Sequence, residues 1–248
     1  MNEMMLEESS SPSITGTLSG RGHKSAKHAL LAGHPLFSTL DRADIEKLVD
    51  YARIESFTKG ASIFQANDPG HGLLAVVRGA VKIGVQGEDG KETVFNIIHP
   101  GEVFGEIALL DGRPRTTNAT ALAECDLLTL DRKDFIPFLR LNPEIGLTLL
   151  SVLCDRLRRT SDQVEDVLFL DVAGRLAKTV LRLSASDQNG NRRVRATQKE
   201  MGQMIGLSRE STNKQLQAWV RSKWITIEKG GIIVKNAAAL ERFAMENL

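Results

Sequence analysis

Two short segments hold residues whose types and spacing suit a sugar-phosphate ligand. The first is Phe104-Gly105-Glu106-Ile107-Ala108, and the second, about ten residues later, is Pro114-Arg115-Thr116-Thr117. A Gly-Glu pair opens a tight segment whose backbone N–H groups can face an anion, with a carboxylate beside them. A ribose hydroxyl calls for a carboxylate acceptor. A phosphate calls for a guanidinium fork backed by N–H and O–H donors. Either half alone is weak; both halves in this order form a specific pattern.

A second chemistry lies near the other end. Thr197-Gln198-Lys199-Glu200 is a capping box opening a short helix that carries Met201, Met204 and Ile205. Gly206-Leu207 turns the chain, and Ser208 caps a second helix from Arg209 to about Val220. Two short helices joined through Gly206 make a helix-turn-helix. The run Trp224–Val234, interrupted by Lys229-Gly230-Gly231, reads as a hairpin behind it. Residues 171–248 hold 14 Lys/Arg against 7 Asp/Glu, whereas residues 1–170 hold 18 against 24. The formal net charge of +1 therefore hides a basic C-terminal third suited to a polyanion.

The elements between must position these groups. Residues 1–28 show no periodicity and are expected to form a disordered tail. Asp41 caps a short helix with Ile45, Leu48 and Val49 on one face. From Arg53 to Asp131 short β-rich runs alternate with glycines. Asp89-Gly90 marks a hairpin, and the spacing suggests an antiparallel barrel or jelly roll. Asn142-Pro143 starts a long helix. Along it Gly146, Leu150, Leu153, Leu157, Thr160, Val164 and Val167 recur at steps of four and three, a coiled-coil seam of about three heptads. Leu149 and Val152 form a separate stripe for packing on the chain's own barrel. A further helix pattern through Leu176, Val180 and Leu183 ends near 188–190.

Composition narrows the function class. A chain of 248 residues has room for two modest domains. No apolar run approaches the roughly 20 residues of a membrane span, and the first twenty residues lack the apolar stretch of a signal peptide. Cys125 and Cys154 cannot build a disulfide framework or a four-thiolate metal site, so a reducing cytoplasm is the expected compartment, with no membrane partner. His23, His28, His34, His71 and His99 show no ligand spacing, and no Ser/His/Asp set or Walker loop occurs. Neither an enzyme nor a metal site is expected.

These motifs, with Phe169-Leu170-Asp171-Val172-Ala173-Gly174-Arg175 at the hinge and Ile205-Gly206-Leu207-Ser208-Arg209-Glu210 in the reader, resemble the CRP/FNR family of bacterial transcription regulators. The likeness is closest to its cyclic-AMP receptor branch and covers about residues 36–236. It implies an α+β fold: an antiparallel β jelly-roll cyclic-nucleotide-binding domain over 29–141, a dimerisation helix over 142–170, and a winged helix-turn-helix over 171–248. The resemblance implies cyclic AMP as allosteric effector, with cyclic GMP as the alternative, because Asn96, Thr117 and Asn118 add polar groups to the wall. Glu106 would then accept from the ribose 2′-OH. Arg115 with Thr116 would hold the cyclic phosphate, helped by N–H groups around Gly105, Ile107 and Ala108. Phe95, Asn96, Phe104 and Arg156 would line the pocket, and Thr160 and Ser161 would meet the base, one from each subunit. Implied partners are double-stranded promoter DNA, a second copy of the chain and RNA polymerase. Arg209 and Glu210 suit base edges, as does Lys214, which stands where the resemblance suggests Arg. Thr197, Gln198, Lys199 and Ser208 suit phosphates. A haem or redox sensor on the same scaffold is the other reading; it would need N-terminal cysteines or a cassette without Glu106 and Arg115.

Overall fold

Alternation of buried and solvent-facing side chains builds the first half of the chain from short strands. The computed structural model describes residues 20–186, 190–228 and 231–246. It begins with helices α1 (Gly20–Ala32) and α2 (Arg42–Tyr51), linked by one 3-10 turn at Pro35–Phe37. Strands β1 (Arg53–Phe57), β2 (Ser62–Phe64), β3 (Gly72–Arg78), β4 (Val81–Gln86), β5 (Glu92–Ile98) and β6 (Val103–Phe104) follow. Then come α3 (Glu106–Asp111), β7 (Asn118–Ala121), β8 (Cys125–Asp131) and α4 (Arg132–Leu141). The eight strands form two antiparallel four-stranded sheets, ordered β1-β8-β3-β6 and β2-β7-β4-β5. This is the double-sheet architecture expected from the strand spacing.

Strand β3 shows why the sheets sit where they do. Leu74 and Val76 enter the core between the sheets with Phe104 and Leu127, while Leu73 and Ala75 face the helices. Both faces are covered, so the strand is apolar throughout instead of alternating. Asp89-Gly90 turns the β4–β5 hairpin as expected, with Gly90 at φ 77° and Gln86 opposite Glu92.

The tail expectation needs correction. Residues 1–19 lie outside the described residues, but residues 20–28 belong to α1. Lys24 pairs with Asp50 at 2.7 Å, and Lys27 Nζ donates to the Ala52 carbonyl. At the end of α1, Leu31 is 1% exposed within the core of α2 and the first sheet. The mainly polar first turns of α1 hid it from a periodicity reading. Deletion of residues 1–28 is therefore expected to destabilise the fold. The remaining stub is too short to stay helical, and release of Leu31 costs about 1.5–3 kcal/mol. Thermal melting checks this: a midpoint several degrees lower is expected, and an unchanged midpoint would contradict the docking of α1.

Pro143 starts the long helix α5 (Pro143–Phe169), where its missing N–H is harmless. The two stripes read from the sequence separate here. Ile145 and Leu149 are buried and Val152 packs beside them. Leu150, Leu157, Val164 and Val167 are 55–68% exposed.

Helix α6 (Val172–Leu183) is capped by Asp171, which accepts from the Gly174 N–H at 2.7 Å. It ends at Leu183, earlier than expected; residues 187–189 lie outside the described residues. Past Leu183 the chain offers only small and polar residues, and it forms β9 (Ser184–Ser186) and β10 (Arg192–Val194). The remaining elements are α7 (Gln198–Ile205), α8 (Arg209–Arg221), β11 (Ile225–Glu228), β12 (Gly231–Val234) and α9 (Ala237–Glu246). The expected wing is present as β11–β12 and extends into a four-stranded sheet, β11-β12-β10-β9. This unit docks on the barrel: Val94 and Ile97 of β5 are buried in the same cluster as Met201, Leu216 and Trp219. Gln203 Nε2 donates to Glu92 at 2.9 Å, and Lys82 pairs with the same carboxylate. Among the described residues no single helix is long and apolar enough to cross a membrane.

Candidate functional site

Gly105 creates the geometry of the cassette. Its φ of 82° lets β6 turn directly into α3, and a Cβ there would lie 2.5 Å from Arg115 Nη1. The first-turn N–H groups of α3 have no intrahelical acceptors. Glu106, first residue of α3, is fully buried. It pairs with Arg156 Nη1, reaching over from α5, while Arg156 Nη2 donates to the Val103 carbonyl. Neither Glu106 oxygen receives a well-aligned hydrogen bond, so lone pairs remain for a hydroxyl donor.

Arg115 is 8% exposed. Nη1 donates to Gly105 O at 3.0 Å and Nη2 to Gly72 O at 2.9 Å, and the guanidinium lies 4.3 Å from the Phe64 ring centroid. Its Nε has no partner. Burial lowers its pKa, partly offset by Glu106 and Asp68. A guanidinium held among carbonyls and an aromatic face, with no carboxylate ion pair among the described residues, is prepared to meet an anion.

One cavity of about 820 Å³ gathers most of the residues expected from the sequence. Phe95, Asn96, Phe104, Gly105, Glu106, Ile107, Ala108, Arg115, Thr116, Arg156 and Thr160 all line it. Ser161 does not: it is exposed on α5, and its hydroxyl donates to Leu157 O at 3.0 Å. Of the two polar residues after Thr116, Thr117 lines the cavity, whereas Asn118 accepts from the Ala66 N–H at 2.8 Å and serves the barrel. Sequence reading missed the far wall, where α6, β9, β10, the link after β10 and α7 contribute Arg182, Ser184, Arg193, Arg195 and Met204. Arg193 faces this cavity and pairs with Glu228 at 2.9 Å. No local signal marks such residues, because they meet the barrel only through domain docking.

The reader is built around close contact between α7 and α8. Gly202 permits it, since a Cβ there would fall 2.7 Å from Leu207 O and from Thr212 Oγ1. The capping box is present, with Thr197 Oγ1 accepting from the Glu200 N–H and Glu200 accepting from the Thr197 N–H. Gly206 ends α7 at φ 77°, and Ser208 caps α8. Thr212, Leu216 and Trp219 bury one face of α8. Thr197, Lys199, Ser208, Arg209, Glu210 and Lys214 are exposed, and Gln198 is half-buried. Asn213 and Gln217 are exposed too and follow Arg209 at successive steps of four, so they share its exposed face of α8.

Comparisons with known proteins agree with this geometry. Residues 54–142 match the cyclic nucleotide-binding domain family model, and residues 174–243 match the Crp-like helix-turn-helix domain model. A CRP-like cAMP-activated global transcriptional regulator of Mycobacterium tuberculosis is 34% identical over 220 residues, covering 87% of this chain and 98% of the relative. The cyclic AMP receptor protein of Thermus thermophilus is 28% identical over 214 residues, covering 86% and 98%. Among solved structures, the catabolite activator protein of Thermus thermophilus aligns with a TM-score of 0.50 at 28% identity, over 86% of this chain and all of the other. FixK2 from Bradyrhizobium japonicum shares the fold, with a TM-score of 0.69 at 20% identity over 77% and 96%. A nucleotide-type cassette joined to a helix-turn-helix, and a relative at this identity over nearly its whole length, place the chain in the CRP/FNR family of transcription regulators.

Proposed function

We propose that the chain is a homodimeric transcription regulator that binds palindromic promoter DNA when cyclic AMP occupies its barrel. The carrying observation is that buried Glu106 and Arg115 face one cavity whose opposite wall is α5 and the DNA reader. Glu106 takes the ribose 2′-OH, exchanging part of its pairing with Arg156. Arg115 and Thr116 hold the cyclic phosphate with the first N–H groups of α3. Thr160 meets the base, and Ser161 reaches the pocket of the second protomer. The relatives named as cAMP-activated support adenine as the base. Cyclic GMP is the second reading, favoured by the Thr117 hydroxyl on the wall. A haem or redox reading finds no support in a pocket that keeps both cassette charges. The exposed stripe on α5 is assigned to a second copy of the chain, because Thr160 and Ser161 continue the same helix surface. Action on promoters inside the cell follows from this reading, with RNA polymerase as the protein partner.

Site selection from random DNA tests the reader. A two-fold palindrome with half-sites about one helical turn apart, ~34–36 Å, is expected. Arg209→Ala should cost about 1–3 kcal/mol and relax one guanine per half-site. Lys199→Ala should weaken all sequences about equally and flatten the salt dependence, since it meets only phosphate. Retained guanine preference in Arg209→Ala, or a non-palindromic product, would contradict this assignment of α8.

A further inference from the structure

The cavity does not stop at Thr160. It continues to Arg159, Gln163 and Arg182, beyond the cassette and the residues the family resemblance assigns. From Arg156, which meets Glu106, to Gln163 the helix rises about 10 Å. A purine nucleoside has a comparable length from ribose hydroxyl to the far edge of its base. A ligand with its ribose at Glu106 therefore carries its base edge toward Gln163 and Arg182.

Arg182 is held in place there. With the Gln163 amide oxygen turned toward it, Nη1 and Nη2 of Arg182 lie 3.2 and 3.3 Å from that oxygen. Arg182 stays exposed over part of its surface, and the protein around it lowers its pKa by desolvation; Asp166 opposes this, Arg159 adds to it, and Asp162 opposes it. Asp166 is itself engaged by Lys178 at 2.7 Å. Arg182 thus has donors left over and, among the described residues, no carboxylate ion pair to absorb them.

The two purines differ at this edge. Guanine presents adjacent acceptors, O6 and N7, which a guanidinium fork matches; adenine presents an amino donor beside N7, which the fork opposes. Adenine has a separate partner: the Thr160 hydroxyl donates to Arg156 O at 3.0 Å and keeps its lone pairs for an amino group. We infer that Arg182 makes the base end of the pocket a reader of 6-oxopurines, so that the chain takes cyclic GMP as well as cyclic AMP, each base met by a different residue. This rests on the cyclic-nucleotide reading of the cassette. It also means that guanine is touched by α6, part of the DNA-reading unit.

Calorimetric titration of the full chain with cyclic AMP, cyclic GMP and cyclic IMP tests the inference. Cyclic IMP carries O6 and N7 without the 2-amino group, so it isolates the edge in question. In Arg182→Met, affinity for cyclic GMP and cyclic IMP should fall roughly 5- to 150-fold, with cyclic AMP changed less than twofold. Arg182→Lys, which keeps the charge but loses the fork, should fall between. Equal losses for all three nucleotides in Arg182→Met, or cyclic IMP following cyclic AMP, would overturn the role of Arg182. Wild-type protein that binds cyclic AMP and rejects cyclic GMP would overturn this inference alone. Wild-type protein that binds none of the three would overturn the cyclic-nucleotide reading with it.

Discussion

Arg115→Leu is expected to weaken cyclic-nucleotide binding by roughly 30- to 3,000-fold, the effect of removing one side of a buried charged contact worth about 2–5 kcal/mol. The substitution leaves an apolar side chain of smaller reach against Phe64 and removes the guanidinium to which the proposed function assigns the phosphate. It also removes the Arg115 donors from Gly72 O and from Gly105 O, which keeps the Leu109 N–H, so a modest loss of stability accompanies the loss of affinity. Arg115→Lys separates the two effects. An ammonium keeps the charge but cannot span both carbonyls and a phosphate, so affinity should recover only in part. Titration of each folded variant, with thermal melting alongside, checks the claim. Near-wild-type affinity in a folded Arg115→Leu chain would mean that the phosphate lies elsewhere.

Leu157→Glu addresses the exposed stripe of α5. Leu157 is 68% exposed in the single chain, in line with Leu150 and Val164, which are each 55% exposed. If a second copy covers it, each dimer loses two buried leucines, about 3–6 kcal/mol at ~1.5–3 kcal/mol each. The dimer dissociation constant should rise roughly 10²- to 10⁴-fold, before any repulsion between the two new carboxylates. Sedimentation should then show monomer at micromolar concentration, with nucleotide binding through the cassette retained and affinity for the palindrome lost. A dimer of unchanged stability would place the interface on another surface.

Particular residues show what was legible in the chain and what was not. Cassette, caps and turns could be read because they depend on residues close in sequence. Gly105 must turn, Asp171 and Ser208 must cap, and Thr197 and Glu200 must satisfy each other's N–H groups. The two stripes of α5 could be read because helical period separates them over many turns. Helix α1 could not, since its buried contact falls on Leu31 at its end. Strands β9 and β10 were equally hidden, since Ser184–Ser186 and Arg192–Val194 carry no alternation and are ordered by pairing, β10 with β12 and β9 with β10. The far wall of the pocket was invisible for a related reason. Arg182, Arg193 and Met204 reach it only because β5 buries Val94 and Ile97 against the reader. Ser161 shows the converse, a residue assigned to the base that lies outside the cavity.

The account stands on coupling between the barrel and the DNA reader, and one measurement reaches it directly. Affinity of the purified protein for its selected palindrome should be measured by fluorescence anisotropy across a titration of cyclic AMP, with nucleotide occupancy followed calorimetrically under the same conditions. The account predicts that DNA affinity rises in step with occupancy by at least tenfold, and that Arg115→Leu abolishes the rise while leaving the low nucleotide-free affinity in place. Saturating occupancy with no change in DNA affinity would contradict it.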